Sequence, residues 1–173
     1  MTLPADVREK VLSYARHQAA RSMAELAALM ERTGAECSRC LDGVSEEQAG
    51  FRYGDEWSIK QVLGHIVEAT ATVNRGIVDL AAGEQAKEVG QIGETPGVER
   101  PVAELRCAVA DLWSETVRLV ASLPENGSLE LTRVHPWFGP LNYREWIAFQ
   151  RLHAMDHLLQ MERLKEHTDY PEA

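Results

Sequence analysis

No stretch of this chain approaches the roughly 20 consecutive apolar residues that a membrane-spanning helix needs, so no span is expected. No block of lysine and arginine is present either. The balance runs the other way: 18 Lys and Arg against 27 Asp and Glu leave a formal charge of −9. A surface of that sign repels phosphate backbones, which argues against nucleic acid as a partner. The opening residues, Met1-Thr2-Leu3-Pro4-Ala5-Asp6, lack the apolar core of a secretory signal. Cysteine is scarce and odd in number, with 3 in the chain. That count disfavours a disulfide scaffold and favours a reducing compartment, so a cytoplasmic location is expected by elimination. Cys37-Ser38-Arg39-Cys40 is a single Cys-x-x-Cys, and an all-thiolate zinc site would need four sulfurs. On a helix, Cys37 and Cys40 read first as small, partly buried residues and second as a redox pair. Cys107 reads as core. Strand-like alternation is also rare, and there are no tandem repeats.

What remains is helical periodicity. Residues 5–41 are good helix formers with a stripe that includes Leu12, Ala15, Met23, Leu26, Met30 and Cys37. They predict one long helix, or two divided near Thr33-Gly34. Ser45-Glu46-Glu47-Gln48 has the capping-box pattern for a short turn. Ser58-Ile59-Lys60-Gln61 is a second box and opens a helix to about residue 82. Residues 83–100, rich in Gly, Glu and Gln, read as a loop. Pro101 suits the first turn of a helix reaching about residue 122, closed by Pro124 and Asn126-Gly127. Asn142-Tyr143-Arg144-Glu145 is a third cap, opening a last helix to about residue 167. The length suits one core, so a single all-α domain over 1–173 is expected, with four helices packed as an antiparallel bundle.

Bundle interiors build metal sites from facing helices. The di-iron pattern needs Glu-x-x-His on two helices, and no suitably placed pair exists here. Two histidines do stand four apart, in His153-Ala154-Met155-Asp156-His157. On a helix that spacing stacks both on one face, so they could share one ion. A divalent ion wants at least a third ligand. His65, on the helix opened by Ser58, is the candidate, and whether the three meet is left to the fold. His-x-x-Asp-His also approaches the inverted zinc-protease string, with the shorter Asp in place of Glu.

Three segments carry a resemblance to a known family. They are Trp57-Ser58-Ile59-Lys60-Gln61-Val62-Leu63-Gly64-His65-Ile66, His135-Pro136-Trp137-Phe138-Gly139-Pro140-Leu141, and the stretch from Trp146 to Leu164 with His153, His157 and Gln160. In order and spacing they resemble the DinB superfamily of four-helix, metal-dependent proteins. It includes YfiT-like proteins, mycothiol-dependent maleylpyruvate isomerase and bacillithiol transferases. The resemblance implies a DinB/YfiT-like bundle with one divalent ion, Zn²⁺ or Ni²⁺, on His65, His153 and His157. It also implies a homodimer and a low-molecular-weight thiol as co-substrate.

Such a site would make the chain a thiol-dependent S-transferase or isomerase acting on a small molecule. The alternatives are a small metal-dependent hydrolase and a non-catalytic metal-binding or stress-response interaction module. Glu68, one turn after His65, is the candidate general base; it could instead orient a ligand or serve as a fourth one. Asp156 is a second candidate for orienting a ligand. His135 reads as pocket mouth or packing, and Trp57 and Trp146 as structural anchors or cavity walls. His17 and His167 carry no signal.

Overall fold

Four helix starts in this protein are fixed by the same device. Ser22, Ser45, Ser58 and Asn142 each accept a hydrogen bond from the backbone three residues on, while the side chain there reaches back to the cap. The computed structural model describes residues 4–87 and 99–172. Along it run α1 (Ala5–Ala19), α2 (Met23–Cys40), α3 (Glu46–Gly50), α4 (Ile59–Ala81), α5 (Val102–Ser122), β1 (Arg133–His135), β2 (Gly139–Leu141) and α6 (Tyr143–Lys165). The boxes at Ser45, Ser58 and Asn142 open helices as expected, and Pro101 is the N-cap of α5. Most of the expected 83–100 loop, residues 88–98, lies outside the described residues.

The segment 5–41 is two helices, but they do not divide at Thr33-Gly34. They divide at Ser22, whose box with Glu25 starts α2. Gly34 stays inside α2 because the helix needs a bare Cα there. A Cβ built on Gly34 would lie 2.7 Å from the Trp113 Cβ on α5. A second departure from expectation is the hairpin β1–β2, antiparallel with His135 opposite Gly139. Gly139 takes a positive φ of 81° to make its turn. Cys107 is exposed rather than core. It follows Leu105 by two residues, about 200° around the helix, while Leu105, Val109, Trp113 and Val120 take the buried stripe.

The architecture is an all-α bundle. α2 packs on α5 and α6, α4 packs on α5 and α6, and α1 lies along α6. Leu26, Met30, Leu63, Ile66, Leu105 and Trp146 are among the fully enclosed side chains. A buried polar chain crosses this apolar interior. Gln150 on α6 donates to the Asn74 Oδ1 on α4 (3.2 Å), and Asn74 donates to the Thr116 Oγ1 on α5 (2.8 Å). Thr116 in turn donates to the carbonyl of Leu112 (2.8 Å). A slip of any of these helices would leave buried polar groups unpaired, so the chain favours one register. The hairpin is tied to the start of α6 by Trp146, whose indole N–H donates to the Arg133 carbonyl at 3.2 Å.

The Gly34 contact sets a testable cost. Overpacking runs to about 1–3 kcal/mol, while exchanging Gly for Ala within a helix returns about 1 kcal/mol. The root of Trp113 cannot swing away, so the cost falls at the upper end and Gly34→Ala is expected to lose up to about 2 kcal/mol net in urea denaturation. Gly50→Ala meets nothing within 4 Å and should be neutral or slightly stabilising. Equal stability of the two variants would contradict the packing.

Candidate metal centre

The cap at Ser58 places His65 about two turns into α4, and the cap at Asn142 places His153 about three turns into α6. Where the two helices pack, the expected histidines meet. The Nε2 atoms of His65 and His153 are 3.1 Å apart, and those of His157 and His153 are 3.2 Å apart. All three ligand atoms lie within 4.8 Å of one another, and among the described residues this is the one such cluster of His, Cys, Asp and Glu.

The arrangement makes poor sense as hydrogen bonding. His157 Nδ1 donates to the amide oxygen of Gln160 (3.0 Å), so the neutral ring presents a bare lone pair at Nε2. The Nε2 of His153 then faces two other ring nitrogens and has one proton at most to share. A cation removes the conflict, because all three nitrogens can offer lone pairs to it. With metal–nitrogen bonds of about 2.1 Å, ligand nitrogens sit about 3.0 Å apart at 90° and about 3.4 Å apart at the tetrahedral angle. The two observed separations fall in that window. The residues present fit a divalent metal ion.

Burial keeps the ligand set neutral. It lowers the His65 imidazole to about 4, helped by the field of His157. It lowers His153 to about 3, with His157, His65 and His135 adding to the effect. His157 is lowered for the same reason, opposed by its bond to Gln160 and by the nearby Asp156. Aromatic rings wall the cluster. Trp57 lies nearly parallel to His157, with centroids 6.2 Å apart, and 5.1 Å from His65. Phe149 stacks along His153 at 6.3 Å.

The remaining candidates stand outside that group of ligand atoms. Glu68 and Asp156 are exposed, and His65 Nδ1, which is buried, has no hydrogen-bond partner among the described residues. Trp57 borders the histidines, whereas Trp146 is buried as an anchor. Cys37 is buried and Cys40 half-buried; burial pushes their thiols up to about 12 and about 11. Cys40 donates to Glu162 at 2.9 Å and takes no part in the histidine cluster. His17 is exposed, and His167 packs on Tyr53 with centroids 3.6 Å apart. His135 is half-buried against Phe149, at 4.6 Å between centroids. The sequence reading did not single out Gln160 and Phe149 for these roles. The i, i+3 spacing of His157 and Gln160 was the available signal for the first; nothing local marked Phe149.

The chain belongs to the DinB superfamily: that family's model matches residues 29–161, which include all three histidines. It is also 25% identical over 144 residues to the uncharacterized protein YuaE of Bacillus subtilis (strain 168), covering 73% of this chain and 88% of YuaE.

The depressed histidines predict acid sensitivity of the metal-free protein. Unfolded, each imidazole takes up a proton near 6.5; folded, His65 and His135 do so only near 4, and His153 near 3. Between those values the unfolded chain binds more protons, so stability falls as pH falls. Between pH 6.5 and 5 histidine is the side chain whose ordinary titration lies in range. The Tm of metal-free protein should therefore drop from pH 7 to pH 5. A flat Tm across that interval would show that the imidazoles are not held neutral by the fold.

Proposed function

We propose that this DinB-superfamily chain is a divalent-metal-dependent enzyme whose site is held by His65, His153 and His157 and whose reaction is a thiol-dependent S-transfer or isomerisation. One observation carries the reading. The cluster has three neutral imidazoles and, among the described residues, no fourth His, Cys, Asp or Glu. A structural zinc site is closed by four protein ligands, while a catalytic site keeps a position open. The ion would supply Lewis acidity, which makes a bound thiol or water acidic near neutral pH.

The chain's own residues shape the rest. Gln160 fixes the tautomer and orientation of His157, so that Nε2 faces inward. Trp57 and Phe149 limit water around the ligands and offer apolar surface to an electrophile's carbon body. Hydrolysis of the inverted zinc-protease kind would call for a carboxylate beside the ion. The side chain at that place in the string, Asp156, is exposed and stands outside the group of ligand atoms, so that protease-like reading has no support here.

Elemental analysis of tag-free protein should find about one Zn or Ni per chain, consistent with a single mononuclear site. His65→Ala and His153→Ala should lose the metal and keep their helical circular dichroism, since the core does not depend on the ion. Gln160→Ala should bind metal about tenfold to a hundredfold more weakly. Turnover of an electrophile such as 1-chloro-2,4-dinitrobenzene with a small thiol should disappear in the two histidine variants. No metal after incubation with Zn²⁺ and with Ni²⁺ would overturn the proposal.

A further inference from the structure

We propose that the site takes a small anion, and that His135 is a ligand-binding residue that donates a hydrogen bond to it from Nε2–H. The inference rests on the metal-binding role of His65, His153 and His157.

Charge gives the first reason. The three imidazoles are neutral, and no carboxylate or thiol joins their cluster among the described residues. A divalent ion there would bring two positive charges among half-buried histidines flanked by Trp57 and Phe149. Buried charge is costly unless it is paired. A carboxylate ligand would have supplied the pairing within the protein. In its absence the counter-charge must come with the ligand.

His135 gives the second. It ends β1, and the chain turns back on it through Pro136 to Gly139. Its Nδ1 accepts the backbone N–H groups of Trp137 (3.2 Å) and Phe138 (3.3 Å). Nδ1 therefore carries no proton, and the ring's proton sits on Nε2. The two nitrogens point to opposite sides of an imidazole, so Nε2–H faces away from the turn. Among the described residues it has no hydrogen-bond partner, and it is not counted among the buried unpaired atoms.

The ring is clamped in that pose by Phe149, Phe138 and Trp146, at centroid distances of 4.6, 4.8 and 5.4 Å. Phe149 precedes His153 by one turn of α6 and touches both imidazoles. A pre-oriented N–H donor is thus held on the far side of one aromatic ring, Phe149, from a centre that needs an anion, at no cost of reorganisation when the anion arrives.

Protein loaded with Co²⁺, whose visible bands report on its ligands, tests this with azide as the anion. Metal content is measured first. The wild type should hold about one Co²⁺ per chain and bind azide saturably. His135→Phe should keep the Co²⁺ stoichiometry and helical content, while its azide Kd rises about tenfold or more, the loss expected for one hydrogen bond to a charge. His135→Gln, whose amide can donate, should recover part of the affinity. Equal azide Kd values in wild type and His135→Phe, both carrying one Co²⁺, would overturn the role of His135 and leave the metal site standing. Failure of the wild type to take up Co²⁺ would instead overturn the metal reading, and this inference with it. Nitrogen-15 imidazole shifts of the metal-free protein give an independent readout: the Nε2–H tautomer at His135 is expected, and the Nδ1–H tautomer would overturn the proposal.

Discussion

The packing of α4 on α6 is the contact on which the rest depends. It is the only way His65 can reach His153 and His157, which lie far along the chain. Two devices fix its register. The caps at Ser58 and Asn142 set where each helix begins, and hence which residues fall about two and three turns in. The hydrogen-bonded chain Gln150–Asn74–Thr116 then penalises any slide between α4, α5 and α6. Gln150 stands one turn before His153, so the group that locks the helices is next to the group that they position. An apolar interface alone would tolerate small shifts better than this one, since burial is non-directional and hydrogen bonds are not.

That register produces an arrangement that neutral imidazoles would not choose. Three ring nitrogens converge, and the bond from His157 to Gln160 removes one of the protons they could have shared. Burial then keeps further protons off, since a charged imidazole in this setting would be poorly solvated. The bundle holds the cluster anyway, because many enclosed side chains elsewhere bear the energetic load. This is the usual relation between a functional site and its scaffold: local conflict is tolerated where the surrounding packing over-determines the geometry.

Helices and ligands were legible for the same reason, which is that both are periodic. The boxes at Ser45, Ser58 and Asn142 announced their helices locally, and the spacing of His153 and His157 announced a shared face. That His65 completes the cluster came from family resemblance, because no local rule brings α4 to α6. The misreadings share a cause as well. Gly34 reads as a helix breaker until Trp113, nearly 80 residues away, is seen to occupy its missing side chain. Ser22, with Glu25 three on, carried the true signal for the break. The hairpin was hidden because strands of three residues are too short to show alternation, and Pro140 within β2 withholds a ladder donor. Gln160 and Phe149 act through three-dimensional neighbours that the sequence does not display.

The hairpin adds a third element near these two helices. Helices α4 and α6 bring the three histidines together from two sides. The hairpin holds His135 against Phe149, on a turn whose own amide groups decide which ring nitrogen keeps its proton. The net charge of −9 makes the outside of the protein attractive to divalent cations and unattractive to anions. The inside reverses that preference: among the described residues no carboxylate joins the cluster, so a bound ion would keep its charge and favour an anion as its further ligand. Surface charge is screened within about 8 Å at physiological ionic strength. The two regimes can therefore coexist, with the surface governing how an ion approaches and the neutral, aromatic-walled interior governing what the ion would then hold.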